Sequence, residues 1–287
     1  MTYALVNGAF IEENTATISI NDRGFRFGDG LFETIPVYDG LPYLWEYHME
    51  RLAGGLKALS ISCDTRDLLQ QALVLLKSNA VIHSLLRIQI SRGVGSQGYL
   101  PAPGTLSPTI VMQTLDCPAS PPSAVTLWLS SFQKPSTNSL PVRYKLAQGV
   151  NSMLARMEAA DHNCFDALQP GEGNCVGEAS SANIFWLREG RLHTPSLACG
   201  VLAGITRRRI IELSPHPISE GSYTLDDMAA ADAVILTNAS LGAVAVNSLL
   251  PLGKTWESTA FAATINTLRN RDIRKHTGQL RESLALI

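Results

Sequence analysis

The spacing of hydrophobic positions switches between a period of two and a helical period along this chain, and each switch marks an element. Tyr3 to Phe10 reads as a strand and turn, because Asn7-Gly8 is a dipeptide that suits a tight hairpin. Phe32 to Tyr38 forms a second such unit, turning at Asp39-Gly40. From Glu46 to Ile61 the residues Met49, Leu52, Leu56 and Leu59 recur at helical spacing, and Leu68 to Leu76 continues the pattern in a second helix. Leu85 to Ser91 and Thr109 to Leu115 read as strands. Asp116 to Ser123 is proline-dense, and proline removes ladder donors and stiffens the chain. This stretch predicts a domain boundary: an N-terminal domain over 1–117, a linker over 118–123 and a C-terminal domain over 124–287. Beyond it, Val125 to Phe132 is a strand, Val150 to Ala160 a helix, Asn183 to Leu187 a strand turning at Glu189-Gly190, and Ile205 to Leu213 a helix. Thr224 and Asp227 form a capping box before Met228 to Ala231, and Ala233 to Leu236 returns to strand. Strands and helices mix without a regular βαβ alternation, which predicts an α+β fold.

A chain of 287 residues is long for one compact unit, in keeping with two domains. Charged residues make up 17%, apolar ones 45%, and the formal charge is -2, so nothing electrostatic argues for nucleic acid or membrane as a partner. Five cysteines without a C-x-x-C spacing indicate neither a disulfide framework nor a zinc site, and a reducing cytoplasm fits best. The N-terminus carries no signal pattern, and no apolar run approaches the roughly 20 residues that span a bilayer, so the expected protein is soluble and unprocessed.

Gly93-Val94-Gly95-Ser96-Gln97-Gly98 has the letters of a dinucleotide fingerprint and follows a strand. That fingerprint needs a helix to begin there, and Pro101 and Pro103 preclude one, so a loop is expected instead. Gly204-Ile205-Thr206 opens a helix whose unpaired N–H groups and dipole suit an anion, although the same letters also describe a plain helix start. Arg207, Arg208 and Arg209 run against that dipole, which means an anion nearby, exposure to solvent or a subunit interface. Read alone, Glu178 is a surface carboxylate before a strand, Arg51 a solvated position on an amphipathic helix, and His48 a packing residue. Lys145 is a candidate imine former, and nothing local separates it from the five other lysines.

Company and order single it out. Asn21 to Thr34, Tyr47-His48-Met49-Glu50-Arg51-Leu52, Arg143-Tyr144-Lys145-Leu146-Ala147-Gln148, Val176 to Phe185, Gly204-Ile205-Thr206 and Leu236 to Gly242 together resemble the fold-type IV pyridoxal-phosphate enzymes of the class IV aminotransferase family. The resemblance implies a D-amino-acid-aminotransferase-like fold with a smaller N-terminal α/β domain and a larger C-terminal pseudo-barrel, assembled as a homodimer. It implies pyridoxal 5'-phosphate on Lys145, its phosphate held by Arg51, the amides of Ile205 and Thr206, and the loop at Asn238-Ala239. Glu178 would sit against the pyridine nitrogen and keep it protonated, so that the ring accepts electrons when a substrate C–H bond breaks. Tyr47-His48 stands where Glu-His is usual, which leaves Arg51 in place.

Within the family, three positions favour aminodeoxychorismate lyases. Branched-chain enzymes place a tyrosine five residues after the lysine, where this chain has Val150. D-amino-acid enzymes carry arginine and histidine in the loop after the S/T-R-G segment, where Gln97 and Tyr99 stand. Thr237-Asn238-Ala239-Ser240-Leu241-Gly242 is similar to the T-N-x-L-x-G segment of the lyases. The substrate contacts implied are Phe27, Arg92, Gln97 and Tyr99, with Arg26 and Arg143 as further cations for a small-molecule amine bearing two carboxylates. Lys145 would then remove the C4 proton of 4-amino-4-deoxychorismate, giving 4-aminobenzoate and pyruvate. The alternative is a class IV aminotransferase acting on D-amino or branched-chain amino acids, and a catalytically silent relative is a third reading.

Overall fold

The computed structural model describes residues 2–95, 97–101, 107–117 and 122–285. The chain divides into two compact units, the first built from residues 1–117, 144–148 and 273–287, the second from 118–143 and 149–272. Two short stretches that the sequence assigns to the C-terminal domain therefore belong to the first unit. Of the proline-dense linker, Pro118 to Pro121 lie outside the described residues.

The first unit is an antiparallel sheet with helices against one face. Its strands are β1 (Tyr3–Val6), β2 (Ala9–Glu12), β3 (Gly30–Tyr38), β4 (Leu41–Pro42), β5 (Ser84–Ser91) and β6 (Thr109–Leu115), in the order β2-β1-β6-β5-β3-β4. Asn7 and Gly8 join β1 to β2 with φ of 50° and 84°, the left-handed pair that a two-residue hairpin requires. The helices are α1 (Arg23–Phe27), α2 (Trp45–Ala58) and α3 (Leu68–Ser78). Leu52 and Leu56 of α2 and Leu75 and Leu76 of α3 bury themselves against Leu31, Ile35, Leu86 and Ile88 of the sheet. Each such side chain contributes roughly 1.5–3 kcal/mol by leaving water. Strand alternation turns Phe32, Thr34, Arg87 and Gln89 to the other face, where they are only partly covered.

Backbone pairing brings residues 144–148 into this unit. Phe32 N–H donates to the Lys145 carbonyl (3.0 Å), Ala147 N–H donates to the Gly30 carbonyl (2.9 Å), and Leu31 bridges Leu146. Gly54 lets the segment close on α2, since a Cβ there would stand 2.7 Å from the Tyr144 ring. The tail joins through His276, whose Nε2 accepts from Leu44 N–H at 3.1 Å and whose ring meets Tyr43 edge-on.

The second unit is one curled sheet, a half-barrel. Its strands are β7 (Ala124–Leu129), β8 (Asp166–Pro170), β9 (Val176–Ala179), β10 (Asn183–Arg188), β11 (Arg191–Pro195), β12 (Ile218–Gly221), β13 (Ala233–Asn238), β14 (Gly242–Leu250) and β15 (Lys254–Thr255). They run in the order β12-β11-β10-β13-β14-β7-β8-β9, with β15 beside β14. The pairs β11–β12, β14–β7 and β7–β8 are parallel and the rest antiparallel. The helices are α4 (Val150–Asp161), α5 (Ile205–Leu213), α6 (Leu225–Ala229) and α7 (Thr259–Ala285), the last passing into the first unit at residue 273. On β13, Val234 and Leu236 enter one core with Trp186 and Val244, while Ala233 and Ile235 enter another with Ile210 of α5 and Phe261 of α7. Covered on both faces, this strand is continuously apolar rather than alternating. Among the described residues no helix is long and apolar enough to cross a membrane.

Candidate active site

In the first unit the Lys145 side chain lies on the sheet face remote from α2. Its Nζ sits 4.4 Å from the centroid of the Phe32 ring, and the Arg87 guanidinium sits 4.2 Å from the same centroid. Two cations thus share one aromatic ring, a favourable contact for each. Among the described residues no carboxylate or carbonyl accepts from Arg87, and burial lowers its pKa from the ordinary guanidinium value. An arginine that is partly desolvated and lacks an acid partner is built for an anion that arrives.

Arg51 is not the solvated helix position that its local sequence suggests. Its Nε donates to Glu33 Oε1 at 2.8 Å and its Nη2 to Glu33 Oε2 at 2.6 Å, a two-point pair that fixes the plane of the guanidinium. His48 completes the group, with Nδ1 2.6 Å from Glu33 Oε2. Burial lowers the His48 pKa despite the pull of Glu33, so the ring is neutral and donates from Nδ1. For Glu33, burial acts to raise the pKa, but the Arg51 charge together with the hydrogen bonds from His48 and Arg51 outweighs it and brings the group to about 2.

The depressed pKa gives a stability prediction. A carboxylate whose folded pKa lies below its unfolded value stabilises fully above about 4.5 and loses that contribution as pH falls toward 2, of order 3 kcal/mol here. Glu33→Gln is therefore expected to be markedly less stable than wild type at neutral pH, with the gap narrowing between pH 4.5 and 2. Urea midpoints of both proteins across that range check it, and a gap independent of pH would refute it.

The residues expected to touch substrate divide sharply. Phe27 ends α1 with its ring 5.6 Å from that of Tyr99, which is 88% exposed, and Gln97 is exposed beside it. Residues 92–95 and 97–101 form no helix, which fits a loop and not a dinucleotide site; Ser96 and Pro103 lie outside the described residues. Arg92 is held largely by the protein itself. Its Nε and Nη2 donate to Asp29 at 2.8 and 2.9 Å, and its Nη2 and Nη1 to the carbonyls of Leu59 and Ser60 at 2.7 and 2.9 Å. With four of its five N–H donors engaged, Arg92 braces the loop and has one Nη1 donor left for a substrate. Arg26 Nη2 donates to Asn21 at 2.6 Å, and Arg143 is exposed. The cation that the sequence reading missed is Arg87. Its signal was one arginine inside the apolar run Leu85-Leu86-Arg87-Ile88-Gln89-Ile90 with no acid beside it.

In the second unit Glu178 lies within β9 and is buried, not a surface carboxylate before a strand. Asn183 Nδ2 donates to its Oε2 at 2.7 Å, Leu202 N–H donates to both oxygens at 3.1 Å, and Lys134 Nζ stands 2.8 Å from Oε1. Asn183 Nδ2 also donates to the Leu202 carbonyl at 3.0 Å, and Gly204 N–H to the same carbonyl at 2.8 Å. One short turn thus sets the position of Glu178 relative to the start of α5.

That helix start fits a phosphate. Gly204 is its N-cap, and no side chain caps Ile205 or Thr206. Thr237 pairs with Asn183 across β10 and β13, so both side chains lie on one face of the sheet, and Asn183 abuts Gly204 on that face. Among the described residues the buried Thr237 Oγ1 has no hydrogen-bond partner. An orphaned hydroxyl on the face that carries an uncapped helix start is what a dianionic phosphate would satisfy. Asn238 shapes its loop: its Oδ1 accepts from Leu241 N–H at 2.8 Å and from Ser240 at 3.1 Å, so its side chain builds the turn that places Ala239. The three arginines of α5 meet acids rather than the anion site. Arg207 pairs with Glu220 at 2.5 Å, Arg208 with Glu212 at 3.2 Å, and Arg209 with Glu212 and Asp272.

The chain is similar to known proteins over most of its length. Residues 30–249 match the family described as amino-transferase class IV. The chain is 30% identical to the aminodeoxychorismate lyase of Bacillus subtilis (strain 168), over 94% of each chain. It is 29% identical to a D-alanine aminotransferase of Staphylococcus epidermidis, over 84% of this chain and 86% of the relative. The solved 4-amino-4-deoxychorismate lyase from Pseudomonas aeruginosa superposes with a TM-score of 0.82 at 28% identity, covering 93% of this chain and 98% of that one.

Proposed function

Because the chain belongs to the class IV aminotransferase family and takes its cofactor, pyridoxal phosphate, we propose that it is an aminodeoxychorismate lyase, converting 4-amino-4-deoxychorismate to 4-aminobenzoate and pyruvate. Arg87 carries this reading: a guanidinium with no acid partner among the described residues shares the Phe32 ring with Lys145, which suits a substrate whose carboxylates must be held beside the reacting amine. Val150 and the Asn238 turn support the lyase over the branched-chain enzymes, and Gln97 with Tyr99 over the D-amino-acid enzymes.

Bound pyridoxal phosphate supplies a cationic ring that takes up the electrons released at the substrate carbon. The chain's residues do the rest. Lys145 carries the cofactor and its Nζ takes the C4 proton, Arg87 holds a substrate carboxylate, and Glu178 keeps the ring nitrogen protonated. In the first unit Glu33 fixes the plane of Arg51 as a cation for an anionic group, and in the second the amides of Ile205 and Thr206 with the Thr237 hydroxyl suit the cofactor phosphate.

Purified holoenzyme given aminodeoxychorismate is expected to release 4-aminobenzoate and pyruvate without consuming a keto acid, because a lyase returns to its starting form each cycle. Arg87→Ala should lower kcat/KM by roughly 10- to 100-fold, the worth of a charged hydrogen bond, mainly through KM. Rapid conversion of D-alanine or leucine with 2-oxoglutarate, and no 4-aminobenzoate, would install the aminotransferase reading instead.

A further inference from the structure

We propose that Lys134 is a positioning residue that sets how firmly Glu178 holds the proton on the cofactor's ring nitrogen, an inference that rests on the assignment of Glu178 to that nitrogen. Glu178 receives three donors, Asn183 at 2.7 Å, one Leu202 N–H shared between both oxygens at 3.1 Å, and Lys134 at 2.8 Å, which leaves room among a carboxylate's roughly four lone-pair sites for a ring nitrogen. Asn183 and Leu202 donate from neutral groups. Lys134 alone brings a full charge, from a side chain only 11% exposed, so water screens it little.

The position of Lys134 is fixed at the backbone, where its N–H donates to the Pro170 carbonyl at 2.8 Å. Pro170 ends β8, the strand that pairs Gln169 with Glu178, so the segment after β7 that carries Lys134 is tied by its backbone to the strand beside the one that carries Glu178. A protonated ring nitrogen on the same carboxylate is a second cation facing the first. The two repel, and they divide one negative charge between them. For two cations that share one carboxylate at an effective dielectric near 20, such repulsion is worth at least about a tenfold step in a protonation equilibrium. Lys134 therefore weakens the electron sink that Glu178 creates, while holding the carboxylate in place before the cofactor binds.

Holoenzyme reconstituted with cofactor labelled with 15N at the ring nitrogen tests this by NMR across pH. Lys134→Met is expected to raise the pH at which that nitrogen loses its proton by about one unit or more, a tenfold or greater change in the equilibrium. Lys134→Arg should return it to the wild-type value, because the charge is restored. A purely structural ion pair would leave the ring nitrogen unmoved. Glu178→Gln separates the two assignments by shifting the signal toward the neutral form. If that control does not move the signal, Glu178 is not the nitrogen's partner; if it does and Lys134→Met does not, the role given to Lys134 is wrong. Should Lys134→Met fail to retain cofactor, Lys134→Gln carries the same expectation.

Discussion

Lys145→Ala is expected to lower kcat by at least about 10⁴-fold, since one substitution removes both the covalent anchor and the proton-transfer group. The fold should survive, because the segment is held through its backbone, by Phe32 N–H on the Lys145 carbonyl and Ala147 N–H on Gly30. Lys145→Arg sharpens the test. It keeps a cation over the Phe32 ring, where Nζ now lies 4.4 Å from the centroid, but a guanidinium neither forms the cofactor bond nor gives up its proton at neutral pH. Both variants should therefore be inactive while unfolding at similar urea concentrations to wild type. Borohydride reduction of the wild-type holoenzyme followed by peptide mapping is expected to find the pyridoxyl group on Lys145. A label on Lys134, the other lysine placed among site candidates, would overturn the assignment.

That contrast between two lysines shows what a sequence reveals here. Elements defined by local period were legible: the Asn7-Gly8 hairpin, the Leu52 and Leu56 stripe of α2, and α5, which runs over Ile205–Leu213 as its letters suggest. The capping box of Thr224 and Asp227 forms as read. The strand β14 was missed because it follows a turn built by Asn238, whose side chain looked like a ligand rather than a brace. Helix α7 was missed because its apolar stripe is weak: Phe261, Ile265 and Ile273 are buried along a helix otherwise largely polar. The membership of residues 144–148 in the first unit depends on pairing with Gly30 and Phe32, more than a hundred positions earlier, which no local pattern encodes.

The site divides by the same logic. Lys145, Arg51, Glu178 and Thr206 stood out because motif order marked them. Glu33, Arg87, Lys134 and Thr237 did not, since each gains its meaning from a partner or from the lack of one. Glu33 matters through Arg51 and His48, and Lys134 through Glu178. Thr237 is an ordinary strand threonine until its hydroxyl is found buried with no acceptor or donor opposite it among the described residues.

Glu178→Gln is expected to lower kcat by about 10²- to 10³-fold with KM changed far less, the size of effect seen when one group aimed at developing charge is neutralised. A carboxamide can still meet Asn183 and Leu202 but offers no negative charge to a protonated ring nitrogen. The substitution also strands the Lys134 ammonium, whose partner it removes. Breaking a buried pair on one side costs about 3–5 kcal/mol, so Glu178→Gln should be less stable as well as slower. Stability and catalysis part in the double variant Glu178→Gln/Lys134→Met, which takes away both charges. Because replacing a buried pair by neutral groups is close to neutral for folding, that protein should regain most of its urea midpoint while kcat stays low. Recovery of wild-type turnover in the double variant would mean that the loss came from a destabilised fold, and the electron-sink role of Glu178 would have to be abandoned.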